Sequence, residues 1–130
     1  GDVDVVISNT AGPVRVLINN QNRPGQSSGE AHWLIVQAEL ADRGGRMALG
    51  AQVTVVAGDS AFVRLVQPAT SFLSSSDPRP HFGLGTAERV DSIRVMWPDG
   101  THESFAGGEV DRIVIIRKGD GRSVSAGAGA

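Results

Sequence analysis

The chain has 130 residues, enough for one domain with a real core, since a chain of this length buries roughly two-thirds of its unfolded surface. Its 12 Lys and Arg stand against 14 Asp and Glu, a net charge of −2 that argues against nucleic acid as the main partner. With no cysteine, a disulfide scaffold, a thiolate zinc site and a cysteine nucleophile are excluded, and no apolar run approaches the ~20 residues of a membrane-spanning helix.

Gly1-Asp2-Val3-Asp4 lacks the basic start and apolar stretch of a secretory leader. The chain opens directly in a strand-like run and is expected to begin inside a longer protein. Val3, Val5 and Ile7 alternate with Asp4, Val6 and Ser8; after the turn signal Ala11-Gly12-Pro13 comes Val14 to Ile18. Together they predict a two-stranded hairpin over 1–20. Residues 21–30 are polar, rich in Pro, Gly and Ser, and without period, as expected of a linker.

A second unit is expected over 31–118. Leu34, Val36, Ala38 and Leu40 fall on one strand face, with Trp33 on the other. Ala41 to Met47 reads as a loop. Ala51 to Ala57 places Val53 and Val55 on one face, and Gly58-Asp59 joins it to Ala61–Gln67 as a two-residue hairpin. Ser74 to Pro78 is a turn, Arg79 to Leu84 is extended, and Thr86 to Asp91 has room for one helical turn. Ser92 to Trp97 turns Ile93, Val95 and Trp97 inward, and Pro98-Asp99-Gly100 brings back Thr101–Phe105. Val110 to Ile116 is apolar on both faces, the pattern of a central strand. Residues 119–130 carry no core residues and read as a flexible tail. Nothing keeps a 3.6-residue period over a helix length. Short strands with turns every ~8–12 residues predict an all-β fold, a β-sandwich or sandwich-like barrel.

The second unit resembles the ASPIC/UnbV domain. The resemblance rests on His32-Trp33-Leu34, on Ala48 to Val55, on Val90-Asp91, on Val95 to Gly100 and on Phe105. Its most specific stretch is Phe72-Leu73-Ser74-Ser75-Ser76-Asp77-Pro78-Arg79-Pro80-His81-Phe82-Gly83-Leu84-Gly85. Residues 1–20 are similar to the tail of an FG-GAP/VCBS repeat. The resemblance implies an extracellular or periplasmic, often bacterial, multidomain protein with a β-propeller upstream and this domain at its end. It implies no chemistry that carries over residue by residue. FG-GAP repeats bind calcium through several alternating carboxylates. Only Asp2 and Asp4 remain here, and calcium wants about 6–8 oxygens. No cofactor is therefore expected for residues 1–130 alone; calcium is expected in an intact parent.

Several patterns could carry chemistry. Gly25-Gln26-Ser27-Ser28-Gly29 matches a nucleophile elbow, but its flanks are loop where a strand and a helix are required. Gly83-Leu84-Gly85 lacks the third glycine and the helix of a dinucleotide loop. His32, His81 and His102 have no metal-site spacing. The densest polar segment runs from Ser74 to His81. Ser76, Asp77, Arg79 and His81, with Trp33, are its candidate ligand-binding residues; a Ser76–His81–Asp77 hydrolase can be written on paper. Residues so close in sequence rarely converge in a strand, and no oxyanion donor is identifiable. The structural alternative has Asp77 making an Asx turn at Pro78, Arg79 pairing with Asp77 or Glu88, and His81 hydrogen-bonded to a neighbouring loop. Trp33 and Trp97 could offer sugar platforms, although Trp97 shares the inward face of Ile93 and Val95. The expectation is a non-catalytic extracellular module that contacts a protein, a glycan or its own propeller; the alternative is a hydrolase using Ser74–His81.

Overall fold

The structure, a computed structural model, describes residues 3–19 and 31–125. The chain divides into two compact units, residues 1–30 and 31–130. In the first, β1 (Val5–Ile7) pairs antiparallel with β2 (Arg15–Leu17), with Val6 opposite Val16. The Asn9 amide closes the turn by donating to the Pro13 carbonyl at 2.7 Å, and the Asp4 carboxylate accepts the Asn19 N–H at 2.8 Å. All residues of both strands are exposed, so this hairpin has apolar side chains and no core of its own. Asp2 and the Gly25–Gly29 elbow pattern lie outside the described residues.

The second unit is a β-sandwich of two sheets, neither closed into a barrel. One sheet centres on β3 (His32–Leu40), which pairs with β4 (Arg46–Met47), β7 (His81–Gly85) and β10 (Arg112–Arg117). The other has the order β11-β9-β8-β5-β6, built from β5 (Gln52–Ala57), β6 (Ser60–Leu65), β8 (Arg89–Met96), β9 (His102–Glu109) and β11 (Arg122–Ser123). Among the described residues only Ala41–Arg43 turn helically, in a single 3-10 turn closed by Gly44.

Alternation explains the core. Leu34, Val36 and Ala38 of β3, Phe82 and Leu84 of β7, and Ile116 of β10 face Val53, Val55, Ile93 and Val95 of the second sheet, and all are buried. Each large side chain so removed from water contributes about 1.5–3 kcal/mol. Trp97 fills the end of this core, edge-on to Phe105 with ring centroids 6.4 Å apart. Both hairpins form at the turns their sequences specify. Gly58-Asp59 joins β5 to β6 with Ala57 opposite Ser60, and Gly100, at φ 82°, closes the turn before β9.

The structure departs from the sequence reading at four places. Ala41–Met47, read as a loop, holds the 3-10 turn and β4, whose Arg46 and Met47 pair with Leu40 and Glu39. Val110–Ile116 is not central: β10 sits at the edge of its sheet, pairs parallel with β3 alone, and leaves Ile113 and Ile115 exposed at 47% and 52%. Thr86–Asp91 holds no helical turn; β8 already begins at Arg89, where pairing with Glu109 of β9 outweighs the local preference. Residues 119–125 are no free tail. They turn back so that Arg122 and Ser123 pair with Ser104 and Glu103, and the Val124 N–H donates to the His102 carbonyl at 3.0 Å.

β8 and β9 come unusually close at Gly107. A Cβ there would stand 1.9 Å from the Val90 carbonyl oxygen, so no other residue fits without parting the strands. Gly107→Ala should therefore destabilise the unit by about 2 kcal/mol or more in chemical denaturation. Gly83→Ala, with open space above it in β7, should leave stability unchanged or raise it by up to about 1 kcal/mol.

Candidate functional site

The Ser74–His81 segment enters β7 through a tightly bonded turn. The Ser74 hydroxyl donates to the Ser71 carbonyl at 2.9 Å, and the Ser76 N–H donates to the Pro68 carbonyl at 2.6 Å. One Asp77 oxygen accepts the Arg79 N–H at 3.0 Å, making the Asx turn around Pro78. The Arg79 Nε–H reaches both Asp77 oxygens at 2.9 Å. Arg79 thus pairs with Asp77 and holds its carboxyl below the usual range; that carboxylate in turn raises Arg79. Pro80, buried at the end of this turn, accepts the Val36 N–H at 3.1 Å and delivers His81 to the sheet.

His81 parts company with its sequence neighbours. In the β3–β7 register Trp33 faces Gly83 and Ile35 faces His81, which puts Trp33 and His81 on one outward diagonal. Their rings lie 9° from parallel with centroids 6.1 Å apart. The His81 Nε2 atom is buried with no hydrogen-bond partner, and the ring lies against the Trp33 indole. The Asp77 carboxylate is taken up by Arg79, Ser76 is exposed on the loop, and His81 Nε2 has no hydrogen-bond partner. Trp33 lies outward as its alternation predicts, and Trp97 is core.

Sequence reasoning missed the neighbouring clasp. Asp111 takes a left-handed conformation, φ 58°, at the turn before β10. Its N–H donates to the Trp33 carbonyl at 2.7 Å, and its carboxylate accepts the Trp33 N–H at 3.1 Å and meets His32 Nδ1 at 2.7 Å. The His32 hydrogen bond draws the Asp111 carboxyl below the usual range. At the far end, the buried Glu39 carboxylate accepts Arg117 Nε–H at 3.0 Å and the Gln37 amide at 2.7 Å. Only a parallel pairing across 78 residues brings Asp111 to Trp33, so local sequence carried no sign of it.

Three strands thus present an outward surface of Trp33, Ile35, His81, Ile113 and Ile115, bordered by Gln37, Glu39 and Arg117. Phe72 and Leu73, on the loop before Ser74, are exposed at 89% and 90%. Two adjacent apolar residues between Ser71 and Ser74 are the sequence signal that could have marked that loop tip. The surface has the composition of a contact face. Among the described residues no three His, Asp or Glu side chains gather as for a metal. One Asp4 carboxylate oxygen accepts the Asn19 N–H, and its candidate companion Asp2 lies outside the described residues.

The sequence model of the family described as ASPIC and UnbV matches residues 41–123. Cartilage acidic protein 1 of Homo sapiens is 31% identical over 122 residues, covering 89% of this chain and 17% of that protein. The Mus musculus and Xenopus tropicalis proteins of the same name are 33% and 29% identical over 122 and 119 residues, each covering 89% of this chain and 18% of the relative. The chain therefore spans less than a fifth of the length of these relatives. No solved structure matches it.

His81→Phe keeps an aromatic ring beside Trp33 and removes the unpartnered nitrogen; it should stabilise the unit by about 1 kcal/mol in denaturant. Asp77 and Asp111 both titrate below the ordinary aspartate value of 3.8. Their stabilisation is complete above pH 3.8 and is lost as pH falls through the lowered folded values. Asp77→Asn should destabilise the unit at pH 6 by less than about 1 kcal/mol for so exposed a pair, and the difference from the unaltered chain should shrink as pH falls through the lowered Asp77 value.

Proposed function

The chain belongs to the ASPIC and UnbV family, and from that premise we propose that it is a non-catalytic binding and bracing module of an extracellular multidomain protein. The observation that carries this reading is the edge strand β10. It is apolar on both faces, yet its outward Ile113 and Ile115 have no cover among the described residues. Monomeric surfaces rarely keep such a patch without a partner. The exposed Phe72 and Leu73 add a second apolar contact point. A protein surface is the partner we propose, first of all a β-propeller of FG-GAP/VCBS type encoded upstream. The uncovered hairpin β1–β2 supports that context, because strands with apolar residues on both faces are expected of part of a larger sheet. Calcium, in this reading, belongs to the parent, with upstream oxygens joining Asp2 and Asp4. The extracellular setting rests on the family resemblance and on relatives named for cartilage.

The test uses the 1–130 chain with the propeller segment of its parent supplied as a separate protein. Ile113→Thr with Ile115→Thr keeps strand propensity and exposure while removing apolar surface. The variant should unfold within about 1 kcal/mol of the unaltered chain and bind the propeller at least tenfold more weakly in calorimetry, which is about 1.4 kcal/mol. Equal binding by both chains, or binding by neither, would overturn the docking assignment.

A further inference from the structure

Strand β10 ends its sheet, and among the described residues it pairs with β3 alone. The hydrogen bonds around β3 fix which main-chain groups are used. Val36 and Ala38 turn to the side away from β10. There the Val36 N–H donates to the Pro80 carbonyl at 3.1 Å, and the Ala38 carbonyl accepts the Ala48 N–H at 2.8 Å. The carbonyls of Trp33 and Glu39 turn to the β10 side, where they accept the Asp111 and Lys118 N–H groups at 2.7 and 3.0 Å. Main-chain groups alternate along a strand, so Val114 and Ile116, in step with Lys118, face β3. The N–H and C=O groups of Ile113 and Ile115 therefore point out along the free edge.

Natural edge strands are blunted by a central charge, a proline, a bulge or very short length. β10 has none of these. Its six residues carry charge only at the two ends, its register with β3 runs without a shift, and Ile113 to Ile116 are all β-branched.

An antiparallel partner must set open groups against open groups. A second copy of β10 does so around a two-fold axis at Val114. Ile113 then faces Ile115 of the second copy, Ile115 faces its Ile113, and each open N–H meets an open carbonyl. These isoleucines, 47% and 52% exposed, lie on one outward face and cover one another across the axis. Val114, partly buried against the core, meets its own counterpart. At each end Arg117 comes opposite Asp111. Unlike charges face one another there while each stays with its own partner, Glu39 or His32. A slip of one residue would set Arg112 against Arg117 and open groups against groups that β3 already uses. The strand is complementary to itself, which is what an isologous contact requires.

We infer that β10 is a homodimer edge: two copies of the chain pair through antiparallel β10 strands into one continuous sheet. The inference goes beyond the docking face described above. Docking uses the outward side chains, whereas the dimer uses the main chain of the edge and leaves the isoleucines of both copies facing outward.

The full 1–130 chain, with no propeller present, is followed by sedimentation velocity over about a hundredfold range of micromolar concentration. The mass should rise from that of one chain to that of two. The amides of Ile113 and Ile115 should exchange with deuterium at least about tenfold more slowly in the dimer, a reading that needs no variant. Ile113→Lys with Ile115→Lys sets like charges opposite one another and should weaken association at least about tenfold. Ile113→Glu with Ile115→Lys removes the same isoleucines but sets unlike charges opposite, and should associate at least about tenfold more tightly than the first variant. Both positions are outward and half-exposed, so both variants should keep the melting temperature. A single-chain mass at every concentration, a mass beyond two chains, or exchange at Ile113 and Ile115 that ignores concentration overturns the inference. Equal association by the two charged variants overturns it too, by placing the contact elsewhere on the chain. Propeller binding enters none of these readings, so the docking assignment stands or falls separately.

Discussion

Asp111 and Glu39 clamp the two ends of the parallel β3–β10 pair, and the rest of the second unit is arranged around that pair. At one end the Asp111 backbone and carboxylate both bind Trp33, with His32 alongside. At the other, Glu39 takes Arg117 through its carboxylate and the Lys118 N–H through its carbonyl at 3.0 Å. A buried carboxylate such as Glu39 is tolerable only when so partnered. Parallel strands cannot be joined by a tight turn. The chain between them must make an excursion, and here the excursion includes β5, β6, β8 and β9, four of the five strands of the opposite sheet. The first strand of the unit becomes central because the last long strand returns beside it.

This arrangement leaves two outer faces of unlike character. Over β3, β7 and β10 the outward side chains are mostly apolar, with an indole and an imidazole side by side. Over β5, β8 and β9 polar side chains such as Gln52, Thr54, Arg94 and Ser104 alternate with the core residues, and Met96 and Val56 join them. Both hydrophobic cores and active sites draw side chains inward, but here the polar groups are spent on turns and clamps. Asp77 and Arg79 order a loop, and Asp99 and Thr101 shape a hairpin. A sandwich also offers two broad surfaces.

The all-β class, the two hairpins and the inward Val53, Val55, Ile93, Val95 and Trp97 were legible because each rests on local alternation or turn chemistry. The Asp77–Arg79 bond was legible for the same reason, its partners being two residues apart. β10 was misread because an apolar pattern on both faces says that both faces want cover, not whether the same chain supplies it. The Arg122–Ser123 strand was missed because backbone pairing alone can hold a segment that buries little. The meeting of Trp33 with His81 depends on a register that includes a shift between His32 and Trp33, and no local pattern encodes that.

Placing the partner of β3 so late in the chain has a consequence for biosynthesis. A polypeptide leaves the ribosome from its N-terminus. Leu34, Val36 and Ala38 emerge long before Arg112–Arg117, the strand that closes their sheet. During that interval β3 has an open apolar edge, and the hairpins β5–β6 and β8–β9 can form without it. Long-range pairing of this kind makes for slow folding. Until β10 emerges, β3 can pair with β4 and β7 on its other edge while the edge that β10 covers stays open. That waiting strand is the segment a molecular chaperone would find first.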